Sequence, residues 1–189
     1  MLFHFGAGAV SLDFVATVGE RWRRGFERLR TPPDLASWLT AVGLLKNGVE
    51  ASEEALVEAR RLRSAIFDCV EARRAGRPPP PSALRTVNRC AAAPDPAPRL
   101  TPRWSCDRVS DVSVSAALSA VARDAIELLS MTESSRIREC AATDCSRLFV
   151  DRSRPGSRRW CESSGCGNRA NTSAYRRRLR SAVGRKSAD

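Results

Sequence analysis

Four cysteines in the last third of the chain are spaced as metal ligands. Cys140 and Cys145 are separated by four residues, Cys161 and Cys166 by four more, and fifteen residues lie between the pairs. Thiolates in such an arrangement suit zinc, which is bound tetrahedrally at about 2.3 Å and closed to substrate in four-cysteine sites. Each pair fits one short turn, and the segment between them can double back as a hairpin that brings the pairs together. An iron–sulfur cluster, disulfides and unconnected buried thiols are the competing readings. The stretch from Met1 to Ala16 lacks the basic start of a secretory signal, and Asp13 interrupts its apolar run. No segment approaches the ~18 apolar residues of a membrane span. A cytosolic chain is therefore expected, where disulfides are rare, and the total of seven cysteines is odd. These points favour one Zn2+ per chain, bound by four thiolates. Cys69, Cys90 and Cys106 read as small buried hydrophobes.

The charge is concentrated where the cysteines are. From Arg136 to Asp189 there are 14 Lys/Arg against 5 Asp/Glu, a net of +9, whereas residues 1–135 hold 18 against 16. Lys186 is the only lysine of the basic segment. A basic module beside a near-neutral partner is the footprint of a nucleic-acid binder. Arginine's planar fork suits phosphate oxygens and guanine edges. A merely solvated run of charge is the bland alternative.

The elements that must position these groups can be read coarsely. Leu148-Phe149-Val150 is a short apolar strand, Ser153-Arg154-Pro155-Gly156-Ser157 a turn, and Arg158-Arg159-Trp160 the return strand. A last helix is expected from about Ala170 to Val183, with Asn168 either capping it or touching a base. On it Tyr175, Leu179 and Val183 would pack on the hairpin, while Arg169, Ser173, Arg176 and Arg180 would form an outward stripe. Cysteine turn, hairpin, second pair and helix make a treble-clef-like module. A structural metal lets so short a segment fold, because binding and folding are coupled.

The fold class predicted is mainly α, with a helical unit over 1–135 and the small α+β zinc module over 136–189. Thr31-Pro32-Pro33-Asp34 opens a helix over Leu35, Trp38, Leu39 and Val42 that stops near Gly43. Ser52 begins a longer one with Leu56, Ala59, Leu62, Ile66, Phe67 and Val70 on one side, ended by Gly76 and the prolines at 78–81. A third runs from Ser82 to about Ala92, presenting Leu84, Val87 and Ala91. A short β-hairpin is expected around Leu100, Trp104 and Val109. Val114, Ala117, Leu118, Val121, Ala125, Leu128 and Leu129 then mark a helix of about five turns. The composition change near Ser134 predicts that the first unit folds alone.

No catalytic constellation is visible, and the chain is not expected to be an enzyme. His4 is the only histidine, so a triad would need a residue at the extreme N-terminus. Gly6-Ala7-Gly8 has neither the third glycine nor the strand–helix context of a dinucleotide loop. Asp13 reads as a buried polar contact or a helix cap.

The run through Cys140 and Cys145, Leu148 to Arg154, Arg159-Trp160-Cys161 and Cys166-Gly167-Asn168-Arg169-Ala170 resembles the CGNR zinc finger. The N-terminal part is similar to the ABATE domain through Leu12-Asp13-Phe14-Val15-Ala16-Thr17 and Ala59-Arg60-Arg61-Leu62-Arg63. The resemblance covers nearly the whole chain. It implies a stress-induced transcription regulator whose finger is the DNA-binding element, with Cys140, Cys145, Cys161 and Cys166 as zinc ligands. Three departures stand out: Ala16 where many relatives carry Asn, Glu162-Ser163 where Ser-Met follows the third cysteine, and Asn171 where Lys is common.

The sequence thus leads to a zinc-dependent regulator that binds duplex DNA. Arg152, Arg154, Arg158 and Arg159 would grip phosphates, Arg169, Arg176 and Arg180 would face the groove, and Arg177 is a further DNA-binding candidate. The helical unit would sense a small-molecule or protein signal, or mediate association into a homodimer. Cytoplasmic location, at the nucleoid, follows if DNA is the partner. A zinc-stapled protein-interaction module and an RNA binder are the rivals. The latter would need unstacked bases to meet Phe149, Trp160 or Tyr175.

Overall fold

The computed structural model describes residues 3–21, 25–94, 98–107, 113–173 and 175–176. Its first element is a helix that hydrophobic periodicity did not disclose: α1, Val10–Val15. Six residues are fewer than two turns, too short to show a 3.6-residue pattern. Its Leu12, Phe14 and Val15 are buried, and the Phe14 ring lies 4.9 Å from that of Trp38. Asp13 is a half-buried polar contact rather than the N-cap. Its carboxylate accepts from the amides of Gly6 (3.3 Å) and Ala7 (2.9 Å), while burial holds its carboxyl above the usual range. A two-residue ladder follows, β1 (Val18–Gly19) antiparallel to β2 (Phe26–Glu27).

The longer helices start and stop for the expected reasons. α2, Pro32–Ala41, opens with a capping box in which Thr31 and Asp34 bond each other's amides. α3, Glu53–Arg74, is capped by the Ser52 hydroxyl on the Ala55 amide at 3.2 Å. It carries Glu53 and Glu54 in its first turn and Arg73 and Arg74 in its last, both favourable to the helix dipole. Its Leu56, Ala59, Leu62, Ile66 and Val70 are buried, as the spacing requires. α4, Pro81–Ala91, and α5, Val114–Ser130, pack against α3 and each other, and α5 also meets α1 and α2. On α5 the buried set includes Val114, Ala117, Leu118, Val121, Ala125 and Leu128.

Two expectations in this region need correction. α4 buries Ala83, Val87 and Cys90, and Leu84 is 44% exposed. The buried face is thus rotated toward Ala83 and Cys90 and away from Leu84. In the hairpin of β3 (Arg99–Leu100) and β4 (Cys106–Asp107), Trp104 is not a strand residue. It sits at the tip with φ 56° and 86% exposure, where the Trp104 amide donates to the Thr101 carbonyl at 3.0 Å. Cys106 is exposed, whereas Cys69 and Cys90 are buried. Val109 lies outside the described residues. Among the described residues no helix is long and apolar enough to cross a membrane.

A 3-10 turn, Thr132–Arg136, leads from α5 into β5 (Ile137–Glu139), which pairs antiparallel with β6 (Leu148–Val150). This hairpin joins the helical core rather than standing apart. The Val150 amide donates to the Ala7 carbonyl at 2.7 Å, and Ile137, Leu148 and Phe149 belong to the same apolar cluster as Leu12 and Leu62. Gly8 explains itself here. Its φ is +93°, and a Cβ on it would lie 3.2 Å from the Cβ of Val150, so Gly8 serves close packing.

Candidate metal centre

Strands β5 and β6 are the two arms of a knuckle whose turn carries the first cysteine pair. Glu139 faces Leu148 in register, and the Cys140 amide donates to the Arg147 carbonyl at 2.9 Å. The partner of β6 is therefore β5, and residues 158–160 form no return strand. Asp151 is the reason. It is fully buried, and it accepts from the Ser153 amide (2.9 Å) and hydroxyl (2.6 Å) and from the Arg158 amide (2.8 Å). Those bonds, the Ser153 hydroxyl's first, hold its carboxyl below the ordinary value. The Arg158 bond also takes one amide that a return strand over 158–160 would offer. The chain instead crosses to the knuckle, where the Arg159 carbonyl accepts from the Ala141 amide at 2.8 Å.

The second pair sits on a different kind of turn. Cys161 precedes a π-turn, Ser163–Gly167, that contains Cys166 and runs into helical residues 168–173. At Gly167 the chain passes close to itself. A Cβ there would lie 3.3 Å from the Glu162 carbonyl oxygen and 3.4 Å from the Trp160 ring. Asn168 is not a cap: it has helical angles, φ −64° and ψ −43°, and its side chain is exposed. The final helix thus begins two residues earlier than expected. Tyr175 is 62% exposed rather than packed on the hairpin, while Leu179 and Val183 lie outside the described residues.

The four sulfur atoms come together, all within 4.8 Å of one another. Cys145 Sγ is 3.8 Å from Cys161 Sγ, which is 3.7 Å from Cys166 Sγ. A tetrahedron with bonds of about 2.3 Å has edges of about 3.8 Å, so the separations fit one zinc ion. Cys140, Cys161 and Cys166 are buried and Cys145 is half-buried. Zinc bound there supplies cross-links between the knuckle and the start of the last helix, with no open coordination position. The electrostatics favour thiolate at Cys145. Cys145 is lowered to about 4, first by the hydrogen bond from the Cys161 thiol and then by the Arg147 amide and guanidinium, against the opposing effect of burial. Cys161, the donor in that bond, is raised. Burial acts to lower Arg147, but the thiols of Cys145, Cys161 and Cys166 outweigh it and hold the guanidinium above its ordinary range.

The centre borders a cavity of about 320 Å3 whose walls include His4, Arg28, Arg147, Arg169, Cys145 and Cys166. The helical unit and the metal module both contribute to it. Burial, then Arg147 and Arg28, push His4 below its usual value.

The arginines singled out from the sequence fall into three groups. Arg152, Arg154, Arg159 and Arg176 are exposed, with the Arg159 guanidinium 5.1 Å from the centre of the Trp160 ring. Arg158 and Arg169 are also exposed but are bonded back onto the finger. Arg158 donates to the carbonyls of Trp160 (2.7 Å) and Cys161 and lies over the Phe149 ring at 4.7 Å. Arg169 donates to Asp144 and to Cys166 Sγ, each at 3.2 Å. Arg177 and Arg180 lie outside the described residues. Sequence reasoning missed Arg147, Asp144 and Asp151. Their signal was proximity: two flank the ligand Cys145 directly, and a cluster of thiolates requires nearby cations.

Residues 8–131 match the model of the ABATE family, described as "Putative stress-induced transcription regulator". The chain belongs to the ABATE family. Residues 136–179 match the CGNR zinc finger, which carries the four-cysteine site. No curated protein matches the chain. Within the ABATE region, the two segments that carried the resemblance meet in space. Arg63 Nη1, on α3, donates to Thr17 Oγ1 at 2.8 Å and to Glu27 at 2.7 Å, and its Nη2 reaches the second Glu27 oxygen at 2.5 Å. Burial raises Glu27, but the Arg63 bond and charge outweigh it and keep it ionised. Ala16, one of the departures from the relatives, lines the cavity beside the metal centre.

Proposed function

We propose that this ABATE–CGNR protein is a transcription regulator whose zinc finger binds duplex DNA and whose helical unit, residues 1–135, senses a signal or mediates association. The observation that carries the reading is a net charge of +9 over residues 136–189, with Arg152, Arg154, Arg159 and Arg176 at exposed positions. Phosphates would be met by these side chains, joined by Arg177 and Arg180 further along the chain. Arg158 and Arg169 would act by holding the loop and the knuckle that present them. The protein would then work in the cytoplasm, at the nucleoid. RNA is disfavoured as the partner because Phe149 is buried and Trp160 half-buried, leaving Tyr175 as the exposed aromatic of the described finger.

The test is the salt dependence of binding. Each neutralised phosphate contributes about 0.9 to the slope of log affinity against log salt. Replacing Arg154 and Arg159 by Ala flattens that slope by roughly two units and weakens all sequences alike. Changing Arg176 relaxes preference at one base position, costing about 1–3 kcal/mol there if the contact is bidentate to guanine. A slope unchanged in the double variant, with zinc content intact, removes those arginines from the interface. Affinity that survives deletion of residues 136–189 overturns the reading.

A further inference from the structure

A tetrathiolate centre carries two negative charges beyond those of its divalent ion, and three of its four ligands are buried here. Such a charge in a partly dry site must be answered nearby, since buried charges are paired or hydrogen-bonded. Two guanidinium groups answer it. Arg147 follows Cys145 by two residues, its side chain is only 16% exposed, and it lines the cavity beside the metal centre together with Cys145 and Cys166. It also reaches the Glu162 carboxylate at 3.5 Å. Arg169 follows Cys166 by three residues, close to one helical turn. From there a helical side chain leans back over the preceding turn, and its Nη2 lies 3.2 Å from Cys166 Sγ. The same group lies 3.2 Å from the carboxylate of Asp144, the neighbour of Cys145.

We propose that Arg147 and Arg169 are the charge partners of the metal centre, one from each cysteine pair, and that together they set how tightly the ion is held. Asp144 orients Arg169 and ties the last helix back to the knuckle. The arginine that closes the Cys166-Gly167-Asn168-Arg169 motif thereby serves the metal rather than a DNA groove. Lysine keeps the charge but not the fixed plane of donors, so it replaces arginine only in part. This rests on the four cysteines binding zinc and is independent of DNA binding.

The experiment uses the full chain and begins by establishing one zinc per wild-type molecule, so that failure of the metal reading itself is seen first. Zinc affinity is then measured by competition with a chromophoric chelator, and Co2+ replaces zinc to report the sulfur-to-metal charge-transfer band. Arg147→Met and Arg169→Met are each expected to weaken zinc binding by about 10–100-fold, the usual effect of removing a group that hydrogen-bonds a ligand. In the fully loaded variants the charge-transfer band moves to lower energy, because the sulfur lone pairs lose N–H donors. Arg147→Lys and Arg169→Lys recover part of the affinity, and Asp144→Asn has a smaller effect than Arg169→Met. If Arg147→Met fails to fold, the half-exposed Arg169 carries the test. Wild-type affinity in the Met variants overturns the proposal. So does a loss of affinity with an unmoved band and no recovery by Lys, which would mark the arginines as packing elements only.

Discussion

The helical unit and the finger hold themselves together by different means. In the first, apolar side chains recur at helical spacing, and Leu35, Trp38, Leu39, Leu56, Leu62 and Ile66 are fully or almost fully buried. In the second, four residues of the β5–β6 hairpin, Ile137, Leu148, Phe149 and Val150, supply most of the apolar contacts, and beside them lie the cysteines and one buried carboxylate, Asp151. A helical core of this kind tolerates the loss of one contact among many. A module with so few apolar residues depends on its cross-links, because a small segment cannot offset its chain entropy by burial alone. The contrast is softened at one seam, where β6 lies against α1 and completes the helical core.

The largest effect should come from attacking the cross-links. Cys161→Ser removes a ligand, and metal binding contributes on the order of 10–16 kcal/mol in comparable modules. We expect zinc content to collapse and the finger to lose protection in amide hydrogen exchange. The helices α2 to α5 should keep a cooperative melt, at lower temperature because β6 no longer covers α1. A melt without cooperativity would mean that the two regions cannot be separated at residue 135.

Leu62→Ala reverses the comparison. Leu62 is fully buried on α3, and such truncations cost about 2–5 kcal/mol. Chemical denaturation should report that loss while zinc stoichiometry stays unchanged. Zinc loss in parallel would show that the helical core holds the ligands in place.

Gly8→Ala tests the seam. A side chain at φ +93° is strained, and its Cβ would press on Val150 at 3.2 Å. We expect a cost of about 1–3 kcal/mol, seen as a lower Tm, with faster hydrogen exchange at the Val150 amide that bonds Ala7. Exchange unchanged at Val150 would detach β6 from the helical unit in solution.

The smallest effect concerns the cap of α2. Thr31→Ala should cost about 0.5–2 kcal/mol. Burial slightly opposes ionisation of Asp34, but the Thr31 side chain, with the amides of Thr31 and Arg30, holds its carboxyl below the ordinary value. A lowered carboxyl contributes stability above the usual carboxylate range and loses it as pH falls through the lowered value. Acid titration of stability should therefore be shallower in Thr31→Ala than in wild type, and an identical profile would deny the capping box its part.

Much of the helical unit was legible because its signals are local. The start at Thr31, the Ser52 cap and the stripes on α3 and α5 each need only a few neighbours in sequence to be seen. α1 was not legible, since six residues give no period, and the side of α4 that faces inward was decided by its packing against α3 and α5. In the finger, ligand identity was readable from spacing and chemistry, because four thiols at those intervals have few other uses. The pairing of β6 was not, since β5 and residues 158–160 are both candidates by pattern. Asp151 chose between them by binding amides two and seven residues ahead. The roles of the arginines divided in the same way. Sequence determined that the last third of the chain is basic and metal-binding; only the tertiary structure decided which arginines face solvent and which turn in to the thiolates. The reason is that charge is a property of composition, whereas its partner is a property of distance, and the fold alone sets that.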